Sequence, residues 1–344
     1  MLLIKGLSII VGLILVWVTV LSAIRTFVLP RPSQDKIVNF VFISIRKLFG
    51  IRLKRLKTYA ARDWLMAMYA PFGLIAILPV WYTLMLLGYG LVFWGLGEFS
   101  WYQAFRMSGS SLLTLGFEPV NSPIYSILAF SEAVLGLLLV ALLIAYLPTI
   151  YAAFSRRESA VKLLEVRAGN PPSAVEMLKR YYRIQGIDRL VDEWTSWERW
   201  FADIDESHTS LPFLVYFRSP QADHSWITAA GAVLDGASLY LSATELPYNA
   251  QGALCIRAGY LALRHIADLF DIEYPTQVGQ GDPISVSRQQ FEDAIEDLAN
   301  AGIPIASNHD QAWLDFTGWR VNYDLPLLKI AEMVIAPRAP WINE

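Results

Sequence analysis

The chain has 344 residues, of which 55% are hydrophobic, and its mean hydropathy is +0.38. Residues 1–160 hold 14 Lys/Arg and 6 Asp/Glu, whereas residues 161–344 hold 14 and 25, so a basic apolar half is joined to an acidic polar half. The single cysteine, Cys255, excludes an intrachain disulfide framework and suits a reducing compartment. The acidic balance of the second half gives no support to nucleic-acid binding.

Residues 1–30 are predicted to form an N-terminal transmembrane helix. The stretch Gly6–Leu29 is apolar apart from Arg25, and about 20 such residues suffice to cross the hydrocarbon core. A cleaved signal peptide is the alternative, but the apolar run is long for one and no small-residue cleavage site follows it. Pro30 and Pro32 are expected to close the helix, because neither continues a helix comfortably.

Residues 31–63 are predicted to form a basic amphipathic segment at the membrane interface. From Ile37 to Leu56, apolar residues recur at helical spacing with basic residues between them. This pattern is typical of a helix that lies in the membrane plane and turns its cations towards anionic headgroups. Plain anchoring and a lipid-regulatory site are both compatible with it. The cations concerned are Arg46, Lys47, Arg52, Lys54, Arg55 and Lys57.

Two further spans are predicted, within Trp64–Leu96 and Ile124–Phe154. Pro71 and Pro79 should bend the first of these spans or mark its start. The segment before it is rich in Lys and Arg, whereas the connection between the two spans carries Arg106 alone. Because positive residues stay in the cytoplasm, we expect a multi-pass plasma-membrane protein whose C-terminal part is cytoplasmic.

The connection between these spans contains a short polar stretch that ends in Thr114-Leu115-Gly116-Phe117-Glu118. This pentapeptide resembles the Thr-Val-Gly-Tyr-Gly filter of the potassium-channel superfamily, and the serine-rich residues before it resemble that family's pore helix. The resemblance covers residues 64–157, which would form the pore module. One departure stands out, because Glu118 replaces the second glycine of the family's filter.

The resemblance implies a homotetramer, since each chain supplies one loop and a closed ring needs several. Backbone carbonyls of the filter would replace the hydration shell of potassium or sodium ions. Gly116 adopts a positive φ freely, whereas Glu118 does so only with strain. We therefore expect a cation channel with reduced potassium preference, and calcium bound at Glu118, because hard cations favour oxygen ligands. The alternatives are a potassium-selective channel and a non-conducting membrane-anchored sensor or scaffold.

Four polar residues are expected to support the filter: Arg106, Ser110, Ser111 and Glu132. Glu132 is an ionisable residue within an apolar span, which by default marks a paired or functional site. We expect it to pair with Arg106, Ser110 or Ser111, with ion binding as the alternative.

Gly136 and Pro148 lie further along the last span. Gly136 resembles the hinge glycine of the family's inner helices, although a small residue there also permits close helix packing. Pro148 frees a backbone carbonyl near the cytoplasmic end, where a gate would lie, or it simply ends the helix.

Residues 158–344 are predicted to form a mainly α-helical cytoplasmic domain, because apolar residues recur at helical spacing and no long strand alternation is present. The fold class is therefore an all-α membrane protein. The domain should assist assembly and could gate the pore. The four histidines each lie near an acidic residue, but no catalytic or metal motif accompanies them. We therefore predict no enzyme activity, no catalytic residue, no bound metal and no cofactor beyond the permeant cations.

Overall fold

The computed structural model describes residues 2–29, 35–97, 99–119 and 122–337. Within these ranges the chain is helical, and the β-type pairing amounts to one isolated antiparallel bridge between Thr244 and Ile305. The prediction of an all-α protein is confirmed for this part of the chain. The predicted stop at Pro30 and Pro32 lies outside the described residues.

The described ranges contain thirteen α-helices, and the chain divides into two compact units with the boundary inside α6. The first six are α1 Leu2–Phe27, α2 Lys36–Leu53, α3 Tyr59–Ala67, α4 Tyr69–Gly95, α5 Trp101–Leu112 and α6 Pro123–Ala168. The others are α7 Ala174–Arg183, α8 Leu190–Ser210, α9 Trp226–Ala243, α10 Ala250–Leu269, α11 Arg288–Asn300, α12 His309–Arg320 and α13 Asp324–Val334. The first unit comprises Met1–Arg55 and Met68–Tyr151, and the second comprises Leu56–Ala67 and Ala152–Glu344.

Three helical stretches are long and apolar enough to cross a membrane: Leu2–Phe27, Tyr59–Gly95 and Pro123–Ala168. This is the number predicted from the sequence, and it marks the chain as a membrane protein. Pro79 lies inside α4 and Pro148 inside α6. The idea that Pro148 ends its helix is therefore wrong, because the loss of one backbone hydrogen bond is tolerated when the turns on both sides persist.

In the first unit, α1 and α4 pack at close range through glycines. A Cβ atom added at Gly12 would lie 2.5 Å from the carbonyl oxygen of Gly88, and one added at Gly88 would lie 2.9 Å from Val16. The hydroxyl of Ser8 donates to the Leu91 carbonyl at 2.6 Å. Small residues that bring two backbones together in this way favour helix association within a bilayer.

Helix α2 begins at an Asp35 cap and ends at Leu53, three residues before the predicted end at Leu56. The Asp35 carboxylate accepts hydrogen bonds from the backbone amides of Ile37 and Val38 at 3.0 and 3.1 Å. The ring of Phe42 fills the space beside Gly73 of α4. One apolar side of α2 is thus buried against protein, while further apolar side chains remain exposed, namely Phe40, Ile43, Leu48 and Ile51.

The second unit is built around a large aromatic and aliphatic core. Trp194, Trp197 and Phe201 of α8 are buried in it, together with most of the small residues of α9. The tryptophan stripe of α8 therefore serves helix packing. The helix α13 was not anticipated from the sequence.

Helix α3 belongs to the second unit although it precedes α4 in the chain. The half-buried Arg218 forms an ion pair with Asp63 of α3 and donates to the Tyr59 hydroxyl at 2.8 Å. The same guanidinium donates to the carbonyl oxygen of Ile335, after α13, at 2.9 Å. One arginine thus connects α3 to the C-terminal part of the chain. The predicted domains are consecutive sequence ranges, so they do not include this connection.

Candidate functional site

The polar stretch between the second and third spans forms α5 and an irregular segment, 113–119. Ser100 caps α5 through a reciprocal hydrogen-bond pair with Gln103. The buried face of α5 includes Ala104, Ser108 and Leu112, which are spaced by four residues. This spacing places them on one side of the helix, and α5 packs with that side against α4 and α6.

The 113–119 segment folds back onto the end of α5 through Ser110. The carbonyl oxygen of Ser110 accepts hydrogen bonds from the amides of Leu115 and Gly116 at 2.8 and 3.3 Å. Its hydroxyl oxygen accepts from the amides of Phe117 and Glu118 at 3.0 and 3.1 Å. One buried serine therefore holds four consecutive amides of the predicted filter.

The turn after α5 is a Schellman motif with Thr114 in the left-handed conformation, at φ 54°. The amide of Thr114 donates to the Ser111 carbonyl at 3.0 Å, which completes the motif. Gly116 has φ 68°, as predicted for the glycine of the segment. Glu118 is not among the described residues with a positive φ, and the non-glycine residue of the segment that adopts one is Thr114 at the helix end.

The carbonyl oxygens of the predicted filter are not used as hydrogen-bond acceptors within the part of the chain that the structure describes. Among the described residues, no carbonyl from Thr114 to Glu118 accepts a hydrogen bond. The side chains of Leu115 and Phe117 are 61% and 51% exposed in the single chain. The segment thus combines unused hydrogen-bond acceptors with apolar side chains that a lipid or a second protein surface has to cover.

Glu118 is paired with Arg106 of α5 at 2.5 Å, and its side chain is 20% exposed. The Arg106 guanidinium also lies over the rings of Tyr102 and Phe117, at 5.7 and 5.3 Å from their centroids. The prediction that Arg106 pairs with Glu132 is therefore wrong. Any cation at the Glu118 carboxylate has to compete with a guanidinium of the same chain.

Glu132 of α6 is fully buried, and its carboxyl group contacts the hydroxyl of Ser108 on α5. The predicted partners Ser110 and Ser111 do not contact it, since Ser110 holds the 113–119 segment and the Ser111 hydroxyl donates to the Met107 carbonyl at 3.0 Å. The second carboxyl oxygen of Glu132 has no partner among the described residues. The periodicity of α5 could have identified Ser108, because it is the serine in register with Ala104 and Leu112.

Gly136 of α6 lies directly against the end of α5. A Cβ atom there would come within 2.7 Å of the Leu112 carbonyl oxygen, and the Tyr82 hydroxyl donates to the Gly136 carbonyl at 2.8 Å. These contacts give Gly136 a packing role, whereas a hinge stays a prediction. Pro148 is about 18 Å further along the helix at 1.5 Å per residue, so it is not part of this cluster.

The six basic residues predicted to meet lipid headgroups are all exposed. Five of them lie in the first unit, on or just after α2, and Lys57 lies in the second. Lipid contact at these residues stays a prediction.

The histidines of the second unit are engaged in local contacts. His265 contacts Asp205 at 2.8 Å, and His309 contacts Glu292 at 2.8 Å. His208 is fully buried beside Arg157, and this burial together with the positive charge of Arg157 lowers the pKa of His208 well below its ordinary value. In the part of the chain that the structure describes, no group of three or more His, Cys, Asp or Glu side chains is placed to hold a metal ion.

Comparison with protein-family models, with curated proteins and with solved structures finds no match to this chain.

Proposed function

We propose that this chain is the subunit of a homotetrameric pore-loop cation channel with a pore of the potassium-channel type, in which residues 114–118 form the filter. The observation that carries the proposal is an irregular segment between two apolar spans, held by Ser110 and bearing unused carbonyl oxygens. Within hydrocarbon, such a backbone is tolerated only where protein buries it or where it lines a water-filled path.

The exposed surface of the segment supports an assembly of several copies, most simply four. One segment cannot enclose an ion, and in a single chain Leu115 and Phe117 are half-exposed or more. A ring of copies covers these side chains and brings carbonyl oxygens from each chain towards one axis. The distribution of basic residues supports the proposed orientation in the plasma membrane, with residues 158–344 in the cytoplasm.

The proposed selectivity is for monovalent cations, with a weaker preference for potassium than a full set of filter sites provides. Glu118 stands where the family has glycine, so the outermost carbonyl site is remodelled. The Arg106 pair reduces the negative field at Glu118. Potassium and sodium are therefore the expected permeant ions, and calcium is expected at Glu118 only in competition with Arg106.

Ion flux through the purified full chain in liposomes tests the proposal, together with subunit counting by native mass spectrometry. The matched pair Gly116→Ala and Gly50→Ala isolates the filter, because both positions have open space around an added Cβ and only Gly116 has a positive φ. We expect a tetramer with cation flux that Gly116→Ala abolishes and Gly50→Ala preserves. A monomer would refute the channel, whereas a tetramer without flux would favour the sensor or scaffold.

Bi-ionic reversal potentials decide the selectivity. Comparable permeation of potassium and sodium is expected for the wild-type chain. Strong potassium selectivity would show that the Glu118 position does not limit ion discrimination.

A further inference from the structure

The second unit contains an open cleft of about 570 Å³ that is lined by four arginines. They come from three parts of the chain: Arg167 from the last turn of α6, Arg180 and Arg183 from α7, and Arg189 from the turn before α8. This concentration of positive charge runs against the acidic balance of residues 161–344. The cleft therefore offers an anionic ligand a locally basic lining in an otherwise acidic part of the chain.

Two of the arginines already bind other groups of the same chain. Arg180 donates to the carbonyl oxygens of Glu165 and Val166 at 3.2 and 2.8 Å, and so it caps the end of α6. Arg167 forms an ion pair with Glu193 at 3.0 Å. Glu193 is buried and also accepts a hydrogen bond from the Tyr181 hydroxyl at 2.8 Å, so this acid is fully engaged.

The other two arginines have their donors available. The nearest carboxylate to Arg183 is that of Glu176, at 4.0 Å. Arg189 has no ion pair or hydrogen bond from its side chain among the described residues. Both are exposed, and Asp192 is the one further acid that lines the cleft. Exposed guanidinium groups with available N–H donors match the geometry of an oxyanion.

The walls of the cleft are apolar beside these charges. Val166 and Ile184 line it and are 75% and 72% exposed. Apolar side chains with this much exposure provide contact area for the uncharged part of a ligand. The volume lies within the range of about 300–1,000 Å³ that small-molecule sites occupy.

We propose that this cleft binds a small organic phosphate, with its phosphate oxygens on Arg183 and Arg189 and its apolar part against Val166 and Ile184. A phosphate is favoured over a carboxylate because its three acceptor oxygens can receive both guanidinium groups at once. A soluble phosphate ester and a lipid headgroup share this chemistry.

A regulatory consequence rests on the proposed function. Val166 and Arg167 form part of the last turn of α6, the helix that is the third candidate for crossing the membrane. A ligand that orders this turn acts on the helix that would line the pore. Binding itself does not depend on whether the chain conducts ions.

The test is a calorimetric titration of the full chain in detergent micelles. The soluble probes are pyrophosphate and ATP, the lipid probe is dioctanoyl phosphatidic acid, and dioctanoyl phosphatidylcholine is the lipid control. The double variant Arg183→Gln/Arg189→Gln is compared with Arg199→Gln/Arg257→Gln, which removes two exposed arginines outside the cleft. Thermal unfolding of both variants checks that the fold is kept.

We expect at least one phosphate probe to bind, with affinity about tenfold or more lower in the cleft variant and nearly unchanged in the control variant. Preference for ATP identifies a soluble ligand, and preference for phosphatidic acid identifies a lipid. Absence of binding by all three phosphate probes at millimolar concentration overturns the proposal, as does equal weakening in the two variants. Ion flux measured in the presence of the bound probe then tests the regulatory consequence separately. A chain that binds the probe but does not conduct ions refutes the channel proposal and leaves the binding proposal standing.

Discussion

Replacement of Ser110 by alanine is the most direct perturbation of the candidate filter. The Ser110 hydroxyl oxygen accepts two amide hydrogen bonds, from Phe117 and Glu118, at 3.0 and 3.1 Å. Alanine removes both while leaving the backbone carbonyl that holds Leu115 and Gly116. The end of α5 therefore persists, and the change is confined to the outer part of the 113–119 segment.

The expected magnitude follows from the two lost bonds. Each intramolecular hydrogen bond contributes about 0.5–1.5 kcal/mol net, so ordering of the segment should weaken by about 1–3 kcal/mol. Since 1.4 kcal/mol is a factor of ten in an equilibrium constant, local opening should become about 5 to 100 times more frequent. The matched control is Ser111→Ala, because the Ser111 hydroxyl donates only to the Met107 carbonyl of its own helix.

Hydrogen exchange measured by mass spectrometry on the detergent-solubilised chain checks this prediction. A peptide that covers residues 113–119 should exchange about tenfold faster in Ser110→Ala and within about threefold of wild type in Ser111→Ala. Reversal potentials of the two variants provide a second readout. If both variants exchange alike, Ser110 does not hold the segment and the proposed filter loses its support.

Three further outcomes are expected. Arg106→Gln should free the Glu118 carboxylate and strengthen external calcium block by about threefold to tenfold, and unchanged block in a flux titration would place Glu118 outside the ion path. Glu132→Ala should lower the free energy of unfolding by about 1–3 kcal/mol while Glu132→Gln, which keeps a hydrogen-bonding group, costs less; equal losses in thermal unfolding would contradict the pairing. Because the pKa of His208 is lowered in the folded chain, the unfolded chain takes up a proton at His208 before the folded chain does as the pH falls. The contribution of neutral His208 to the free energy of unfolding is therefore fully present above pH 6.5, the ordinary pKa of histidine, and is lost as the pH falls below 6.5. The free energy of unfolding should fall by up to about 1.4 kcal/mol per pH unit in this range. Denaturant titrations should show a weaker pH dependence for His208→Gln and an unchanged one for the control Ser210→Ala.

The local features of this protein could be predicted from its sequence because they depend on neighbours along the chain. Runs of apolar residues long enough to cross a bilayer identify the three spans. Helical spacing of apolar residues identifies most helices of the second unit, although α13 was not predicted. The positive φ of Gly116 follows from the freedom of glycine in a short polar turn.

Charge pairing could not be predicted from the sequence, because it depends on which helix faces meet. Arg106 was assigned to Glu132, yet it lies beside Glu118, and Glu132 contacts Ser108 instead. Arg106 and Ser108 both lie on the short helix α5, where side chains two or three residues apart can point to different faces of the helix. The predicted set of polar residues therefore lacked Ser108, and the predicted partners of Glu132 were wrong.

The assembly of distant segments was likewise decided only by tertiary structure. The sequence by itself determined a helical membrane chain with a polar, glycine-containing turn between its last two spans. Folding placed four amides on Ser110, tied α3 to the second unit through Arg218, and gathered four arginines into one cleft. The physical reason is that spans and turns arise from local composition, whereas a site arises where helices remote in sequence pack against one another.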